Sequence, residues 1–361
     1  MNAIRSKRFL IVNPFGIGDV LFTTPIIEAI KAQSPDNYVG YVCNIRTAPL
    51  ILSNPKVDKA FIFEKDEFRQ IWKISKSRCI GKIFSLFKDI GREGFDAVFD
   101  LSLAREYGLL LMLAGIRERI GYDYRKRGLF LTKRIALPRA YENRHIAEYY
   151  EELLGLAGIT PLDKPGLKIY IPQENEERSE EMLAAKGLRK DESFICVAPG
   201  GGASWGETSF RKQWPKEGFA RVTKRLSGEK KIKIVLLGSS DDKPICDYIR
   251  SQCPECTDLC GETDLLTFAA IVRRAKLLVT NDGGPLHIAV ACKTKTVSIF
   301  GPVDDKAYGP YPLGEGDIVV RNEGLECRPC YRNFKVPECT HIDCLNKVSD
   351  DAVIDAVERL L

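Results

Sequence analysis

The segment Val279-Thr280-Asn281-Asp282-Gly283-Gly284-Pro285-Leu286-His287-Ile288-Ala289 constrains this chain more than any other. An apolar run, Leu277 to Val279, stops at a polar turn with two glycines, and a helix-like pattern begins at Pro285. Proline suits a first helical position because its missing N–H would be unpaired there anyway. The glycines let backbone come close to whatever sits above the turn. The free N–H groups and the dipole of the new helix then favour an anion. A strand–turn–helix ending in Asp282, Gly283, Gly284 and nearby His287 therefore reads as a phosphate or diphosphate cradle. An ordinary βα turn with a satisfied histidine would show the same pattern, so the weight falls on how the rest of the chain echoes it.

The echo is a repeated alternation of short apolar runs and helical patterns. Phe9 to Val12 reads as a strand, with a helix over about Val20 to Gln33, and further strands at Tyr38–Cys43, Ala60–Phe63 and Ala97–Leu101. A polar, proline-bearing stretch from Thr160 to Pro172 interrupts the rhythm. A helix around Glu174 to Lys186 follows, acidic at its start, basic at its end and closed by Gly187, as the macrodipole and a glycine cap require. Strands resume at Phe194–Ala198, Lys233–Leu237, Leu277–Thr280 and Thr296–Phe300, and a last helix starts near Ser349. This is an α/β pattern of two doubly wound, Rossmann-like parallel-sheet domains, 1–165 and 166–361, facing a central cleft. The C-terminal helix is left free to pack back on the first domain. Open α/β sheets bind ligands at the carboxyl ends of their strands, so the loops there are the candidate sites.

The first such loop is Asn13-Pro14-Phe15-Gly16-Ile17-Gly18-Asp19. It superficially suggests a dinucleotide fingerprint, but Leu21 stands where the third glycine belongs. The carboxylate of Asp19 would repel a pyrophosphate, yet it is well placed to take a proton from a hydroxyl; a plain helix-capping aspartate is the alternative. The second loop is Pro199-Gly200-Gly201-Gly202-Ala203-Ser204, with Lys212 ahead of Trp214-Pro215. Its glycines expose N–H groups, and Lys212 could reach a phosphate over them, although a flexible glycine loop with a surface lysine reads the same way. The third loop, Gly238-Ser239-Ser240-Asp241-Asp242, offers a carboxylate for ribose hydroxyls or a surface helix start. No D-x-D occurs, so helix termini and lysine, not a dedicated divalent metal, would have to hold a diphosphate.

Taken together these segments resemble glycosyltransferase family 9, the heptosyltransferase family of bacterial lipopolysaccharide assembly, whose architecture is the two-Rossmann-domain GT-B. The resemblance spans nearly the whole chain. It rests on Gly16-Ile17-Gly18-Asp19 with Thr23-Thr24-Pro25, and on Leu277 to Ala289 continuing through Thr296-Val297-Ser298-Ile299-Phe300-Gly301-Pro302. It implies an inverting, metal-independent glycosyltransferase moving a sugar, heptose from ADP-heptose, onto a lipopolysaccharide or related lipid-linked or core-oligosaccharide acceptor. In it Asp19 is the general base and Lys212 the lysine near the donor phosphates. Asp242, or Asp241 by a one-residue shift, meets the ribose. Asp282, Gly283, Gly284, Pro285 and His287 form the diphosphate turn, with Gly16, Gly18, Gly200, Gly201 and Ser204 on the donor as well. His287 is expected to orient or neutralise phosphate and not to move protons. The family often has Ser or Thr at Gly283, so one side-chain hydrogen bond to phosphate is missing. A nucleotide-sugar epimerase or hydrolase of the same fold is the nearest alternative, and a non-catalytic metal-bound scaffold the more distant one.

Charge and cysteine define what remains. The net charge of +5 is concentrated early: residues 1–160 hold 25 Lys and Arg against 18 Asp and Glu. A basic half implies an acidic partner, and with the family resemblance that partner is a phosphorylated substrate or anionic membrane surface and not nucleic acid. Residues 65–92 interleave Lys and Arg with Phe68, Ile71, Trp72, Ile83, Phe84 and Phe87, fitting a surface for anionic lipid or a lipid-linked acceptor, or a solvated basic helix packed by its apolar face. The longest apolar stretch, Leu109 to Ile116, is too short to cross a bilayer, and no signal peptide is evident. A cytoplasmic location is expected, with peripheral contact at the inner face of the membrane. In such a chain most of the 12 cysteines read as free thiols, with Cys43, Cys196 and Cys292 as buried fillers. Cys327, Cys330, Cys339 and Cys344, with His341 among them, have spacing compatible with a structural zinc, an iron–sulfur cluster, a redox pair or free thiols in a packed loop. Cys253, Cys256 and Cys260 form a weaker group. No cofactor is required for catalysis.

Overall fold

The computed structural model describes residues 6–201 and 203–361, with the side chains of 65, 66, 203 and 204 left aside. The chain divides into two compact units, Met1–Gly166 and Leu167–Leu361.

The first unit is built on six parallel strands: β1 (Arg8–Val12), β2 (Tyr38–Cys43), β3 (Lys59–Ile62), β4 (Ala97–Asp100), β5 (Glu118–Tyr124) and β6 (Lys133–Leu137). They lie in the order β3-β2-β1-β4-β5-β6. In register, Val12 stands beside Val42 on one side and Asp100 on the other. A central parallel strand is covered on both faces, which is why Phe9 to Val12 and Ala97 to Asp100 are buried without alternation.

The second unit repeats the plan with β7 (Phe194–Ala198), β8 (Lys233–Leu236), β9 (Thr257–Asp258), β10 (Leu277–Asn281), β11 (Lys295–Phe300) and β12 (Asp317–Arg321). Its order, β12-β11-β10-β7-β8-β9, is the same winding read from the other edge. In both units the direction of winding reverses between the first and fourth strands, so each has a switch-point crevice: between β1 and β4, and between β7 and β10. The chain is thus an α/β protein of two parallel six-stranded sheets.

Several local expectations are corrected. The helix expected over Val20 to Gln33 is two helices, Ile17–Leu21 and Thr24–Gln33. Pro25 has no N–H for the Leu21 carbonyl, and Thr24 Oγ1 takes its place at 2.7 Å. The helix after β10 starts at Gly284, so Pro285 is its second residue. The C-terminal helix Asp350–Leu360, capped by Ser349 Oγ accepting the Ala352 N–H, packs on β10, β11, β12 and the helix Lys216–Gly228 of its own unit. Its Val353, Ile354, Val357 and Leu360 enter that unit's core. All twelve thiols are free; Cys43 and Cys196 are buried, whereas Cys292 is half-buried. No helix of the described residues is long and apolar enough to cross a membrane.

Candidate functional site

In the second unit the switch point gathers three loops through one side chain. Asn281, the last residue of β10, is buried and donates from Nδ2 to the Pro199 and Gly200 carbonyls at 2.7 and 3.1 Å. Its Oδ1 accepts the Trp214 N–H at 2.9 Å. Thr280 Oγ1 adds a bond to the Ala198 carbonyl at 2.9 Å, and Gln213 Nε2 one to Gly201 at 2.9 Å. A carboxamide suits this position because it supplies donors and an acceptor together, and buried loop carbonyls otherwise lose their hydration without compensation.

The clamp presents Lys212, at the end of the 3-10 segment Ala203–Lys212, to Asp282 on the next residue of the β10 loop. Lys212 Nζ lies 2.7 Å from Asp282 Oδ2, with the side chains 11% and 5% exposed. At that separation the two groups form a close, charge-assisted pair largely shielded from solvent. The ammonium also lies 5.2 Å from the Trp205 ring centroid. Lys212 is half-buried, so its ammonium stands at the edge of the loops, where an anion can meet it. Beside it, the helix Gly284–Cys292 offers its N-terminus, with Gly283 extended at the cap and His287 buried in the first turns. Gly201 adopts a positive φ of 136° beside the Asp282 carbonyl, a backbone conformation that demands glycine.

Asp242 completes the group. A Cβ built on Gly200 would lie 2.0 Å from Asp242 Oδ1, so the glycine exists to admit that carboxylate. Asp242 Oδ2 accepts from Ser239 N–H and Oγ at 2.9 and 2.7 Å, whereas Asp241 is exposed. Asp242 is thus the carboxylate that abuts Gly200. The structure brings Gly200, Gly201, Lys212, Asp242, Asp282, Gly283, Gly284, Pro285 and His287 to the carboxyl ends of three adjacent strands. Ser204's side chain lies outside the described residues.

In the first unit Asp19 sits in the first turn of Ile17–Leu21, half-buried, and its Oδ2 accepts the Gly16 N–H at 3.2 Å. Gly16 and Gly18 belong to this loop of the first unit. The loop is pinned by carboxamides: Asn13 Nδ2 donates to the Asp19 carbonyl at 2.9 Å, and Asn44 Nδ2 to those of Pro14 and Phe15. Burial, with a contribution from the Asp19 charge, pushes the Tyr41 and Tyr141 phenols up, so both remain protonated donors near the loop. Asp100, at the end of β4, is buried, and desolvation raises its carboxyl to about 6 despite hydrogen bonds from Ser102. Sequence reasoning quoted Asn13 and Asn281 within their loops without giving them a role, and missed Asn44 and Asp100. Their shared signal is a short polar side chain at the carboxyl end of an apolar run.

The cysteine segment folds against the loops that follow β7 and β11. The Cys330 and Tyr331 N–H groups donate to the Pro302 carbonyl at 3.0 Å. Tyr331 packs on Trp205 with ring centroids 5.0 Å apart, and Arg211 donates to the Pro337 carbonyl at 2.8 Å. Arg328 reaches the Gly301 carbonyl and Asp305. Asp305 is half-buried, and the desolvation alone would raise its pKa, but Arg328 and Arg321 hold it below the usual carboxylate range. Burial and the neighbouring thiols push Cys330 up, and Cys344 up to about 11. Cys327, Cys330, Cys339 and Cys344 lie near enough for their charges to act on one another, although among the described residues no group of three or more His, Cys, Asp or Glu is already set around a metal position.

Comparison with known proteins agrees with this geometry. Residues 83–341 match the model for glycosyltransferase family 9 (heptosyltransferase). Lipooligosaccharide heptosyltransferase 2 of Haemophilus influenzae is 26% identical over 323 residues, covering 86% of this chain and 88% of that protein. The crystal structure of the family 9 glycosyltransferase from Veillonella parvula superposes with a TM-score of 0.80 at 24% identity, covering 98% of this chain and 97% of that one. E. coli heptosyltransferase WaaC with ADP-2-deoxy-2-fluoro heptose superposes with a TM-score of 0.71 at 19% identity, covering 98% of this chain and 100% of that one. The fold is that of the GT-B heptosyltransferases, and the chain belongs to glycosyltransferase family 9 and is a glycosyltransferase.

Proposed function

We propose that this chain transfers heptose from ADP-heptose to a lipopolysaccharide core or related lipid-linked acceptor, with inversion at the anomeric carbon. The observation that carries the reading is the cation–helix cluster at the switch point of the second unit: Lys212 held on Asp282, the N-terminus of Gly284–Cys292, and Asp242 against Gly200. Such a cluster suits a nucleoside diphosphate, the helix end and ammonium taking its charge and Asp242 its ribose. The choice of ADP and heptose follows the relatives, one of which is described with an ADP-heptose analogue.

In the proposed reaction Asp19 accepts the proton of the acceptor hydroxyl as its oxygen bonds to the anomeric carbon. The bond from that carbon to the diphosphate oxygen breaks, and its electron pair leaves with ADP. Lys212 and the helix end stabilise the charge that develops on the leaving phosphate; charge-assisted hydrogen bonds of this kind contribute about 1.5–3 kcal/mol each. That assistance makes a divalent ion unnecessary in this reading. The location proposed is cytoplasmic, where nucleotide sugars are supplied.

Purified protein given ADP-heptose and heptose-deficient lipopolysaccharide is expected to release ADP and to add one heptose to the acceptor. Conversion of the nucleotide sugar without acceptor would instead support an epimerase or hydrolase. Loss of donor binding in Lys212→Ala and Asp282→Ala would tie either activity to this site, whereas unchanged affinity in both would favour a scaffold.

A further inference from the structure

The helices Lys65–Ile74 and Lys76–Arg92, joined through Ser75, form a hairpin on the first unit. One apolar set does the packing: Phe68, Cys79, Phe87 and Ile90 are buried in the unit's core, with Ile71, Ile83 and Leu86 against it. That set satisfies an amphipathic hairpin. Yet a second apolar set remains in solvent. Trp72 is 47% exposed, Ile74 83%, Ile80 45% and Phe84 54%. These are four large hydrophobics within thirteen residues, from the end of one helix into the start of the next. Single exposed hydrophobics need no explanation, but a group of this kind does.

The charge around them is equally concentrated. Residues 65–92 hold eight Lys and Arg against three Asp and Glu, a surplus equal to the +5 of the entire chain. Arg69, Lys73, Lys76, Arg78, Lys82 and Lys88 are exposed. Lys76 Nζ lies 5.7 Å from the Trp72 ring centroid, so cation and aromatic ring sit side by side. A tryptophan rimmed by lysines, with aliphatic and phenyl groups beside it, is the composition of an interfacial anchor: rings and aliphatic chains enter the acyl boundary while ammonium groups meet lipid phosphates.

We propose that this hairpin docks the protein on the surface of an anionic phospholipid bilayer. Both halves of the surface are needed. Exposed apolar groups alone would fit a second copy of the chain, but a copy would bring the same positive surplus against itself. A phosphate-rich plane offers the opposite charge and an apolar layer beneath it. The inference stands apart from the donor, acceptor and base assigned above.

The test is co-sedimentation of the full chain with vesicles of phosphatidylcholine alone or with about one-third phosphatidylglycerol, with tryptophan emission recorded alongside. Binding to the anionic vesicles, a blue shift absent from Trp72→Phe, and release by about 0.5 M salt are expected. Lys73→Gln with Lys76→Gln is expected to weaken binding about 25-fold, at roughly fivefold per basic residue. Phe84→Asp and Ile80→Asp, at exposed positions, are expected to abolish it with an unchanged circular dichroism spectrum. Failure of the wild-type chain to sediment with anionic vesicles would overturn the proposal. So would unchanged binding of the two Asp variants, or their conversion of a dimer into a monomer, which would assign the surface to a second copy. None of these readouts depends on sugar transfer, so a failure here and a failure of the proposed reaction remain distinguishable.

Discussion

Asp100 gives a stability prediction that can be worked from the structure. It ends β4 with 5% exposure, and desolvation raises its carboxyl from 3.8 to about 6, against hydrogen bonds from the Ser102 N–H and hydroxyl at 3.1 and 2.6 Å. Because the folded value lies above the unfolded one, the folded unit keeps a proton that the unfolded chain has released. The stability this provides is fully present below about pH 4, declines as pH rises through 6, and is absent above that. The separation corresponds to about 3 kcal/mol at roughly 1.4 kcal/mol per unit, with about half of it lost between about pH 5 and pH 8. Asp100→Asn keeps the shape and an acceptor for Ser102 but removes the ionisation. Amide hydrogen exchange of β4 and β5, corrected for the chemical exchange rate, should show the variant more protected than wild type by up to about 3 kcal/mol at pH 8. The gap should shrink as pH falls, while β7 and β10 in the second unit respond equally in both proteins. Wild type and variant tracking each other across this pH range would refute the reasoning.

Three further outcomes follow from the second unit. Gly200→Ala places a methyl group 2.0 Å from Asp242 Oδ1; displacement of that carboxylate should weaken nucleotide binding by about tenfold or more, the loss of roughly one good hydrogen bond, as read by calorimetry. Asn281→Ala removes three buried hydrogen bonds and should cost about 3 kcal/mol, seen as a melting temperature lower by several degrees; an unchanged melt would mean the loops hold themselves. Chelation by EDTA should leave transfer unchanged, since Lys212 and the helix terminus carry the diphosphate charge in this account; a rate restored only by added divalent ion would contradict that.

What sequence could and could not reveal has physical causes. The central strands β1, β4, β7 and β10 were legible because strands covered on both faces are continuously apolar. The strands β5, β6, β9 and β12 escaped: Glu118–Tyr124 mixes charge and glycine, Thr257–Asp258 is only two residues long, and Lys133–Leu137 and Asp317–Arg321 lie at sheet edges with one side in solvent. Edge strands carry little of the pattern that marks a core. Among the site residues, Asp282 and Lys212 were legible singly, but their pairing depends on the Asn281 clamp, which joins residues 81 and 82 positions apart. Asp242 differs from Asp241 in abutting Gly200, a contact that no sequence pattern shows. The basic segment 65–92 shows in sequence as one amphipathic pattern; only burial separates the apolar residues that face the core from those that face solvent.

The central claim is a division of labour, with proton removal by Asp19 in the first unit and diphosphate binding by the Lys212–Asp282 cluster in the second. Asp19→Asn tests it most directly, with donor affinity and single-turnover transfer measured on one preparation. The account predicts wild-type affinity for ADP-heptose with transfer slowed about 10²–10⁴-fold, the range of a lost general base. Near-normal turnover by the variant, or loss of donor binding in step with activity, would contradict it.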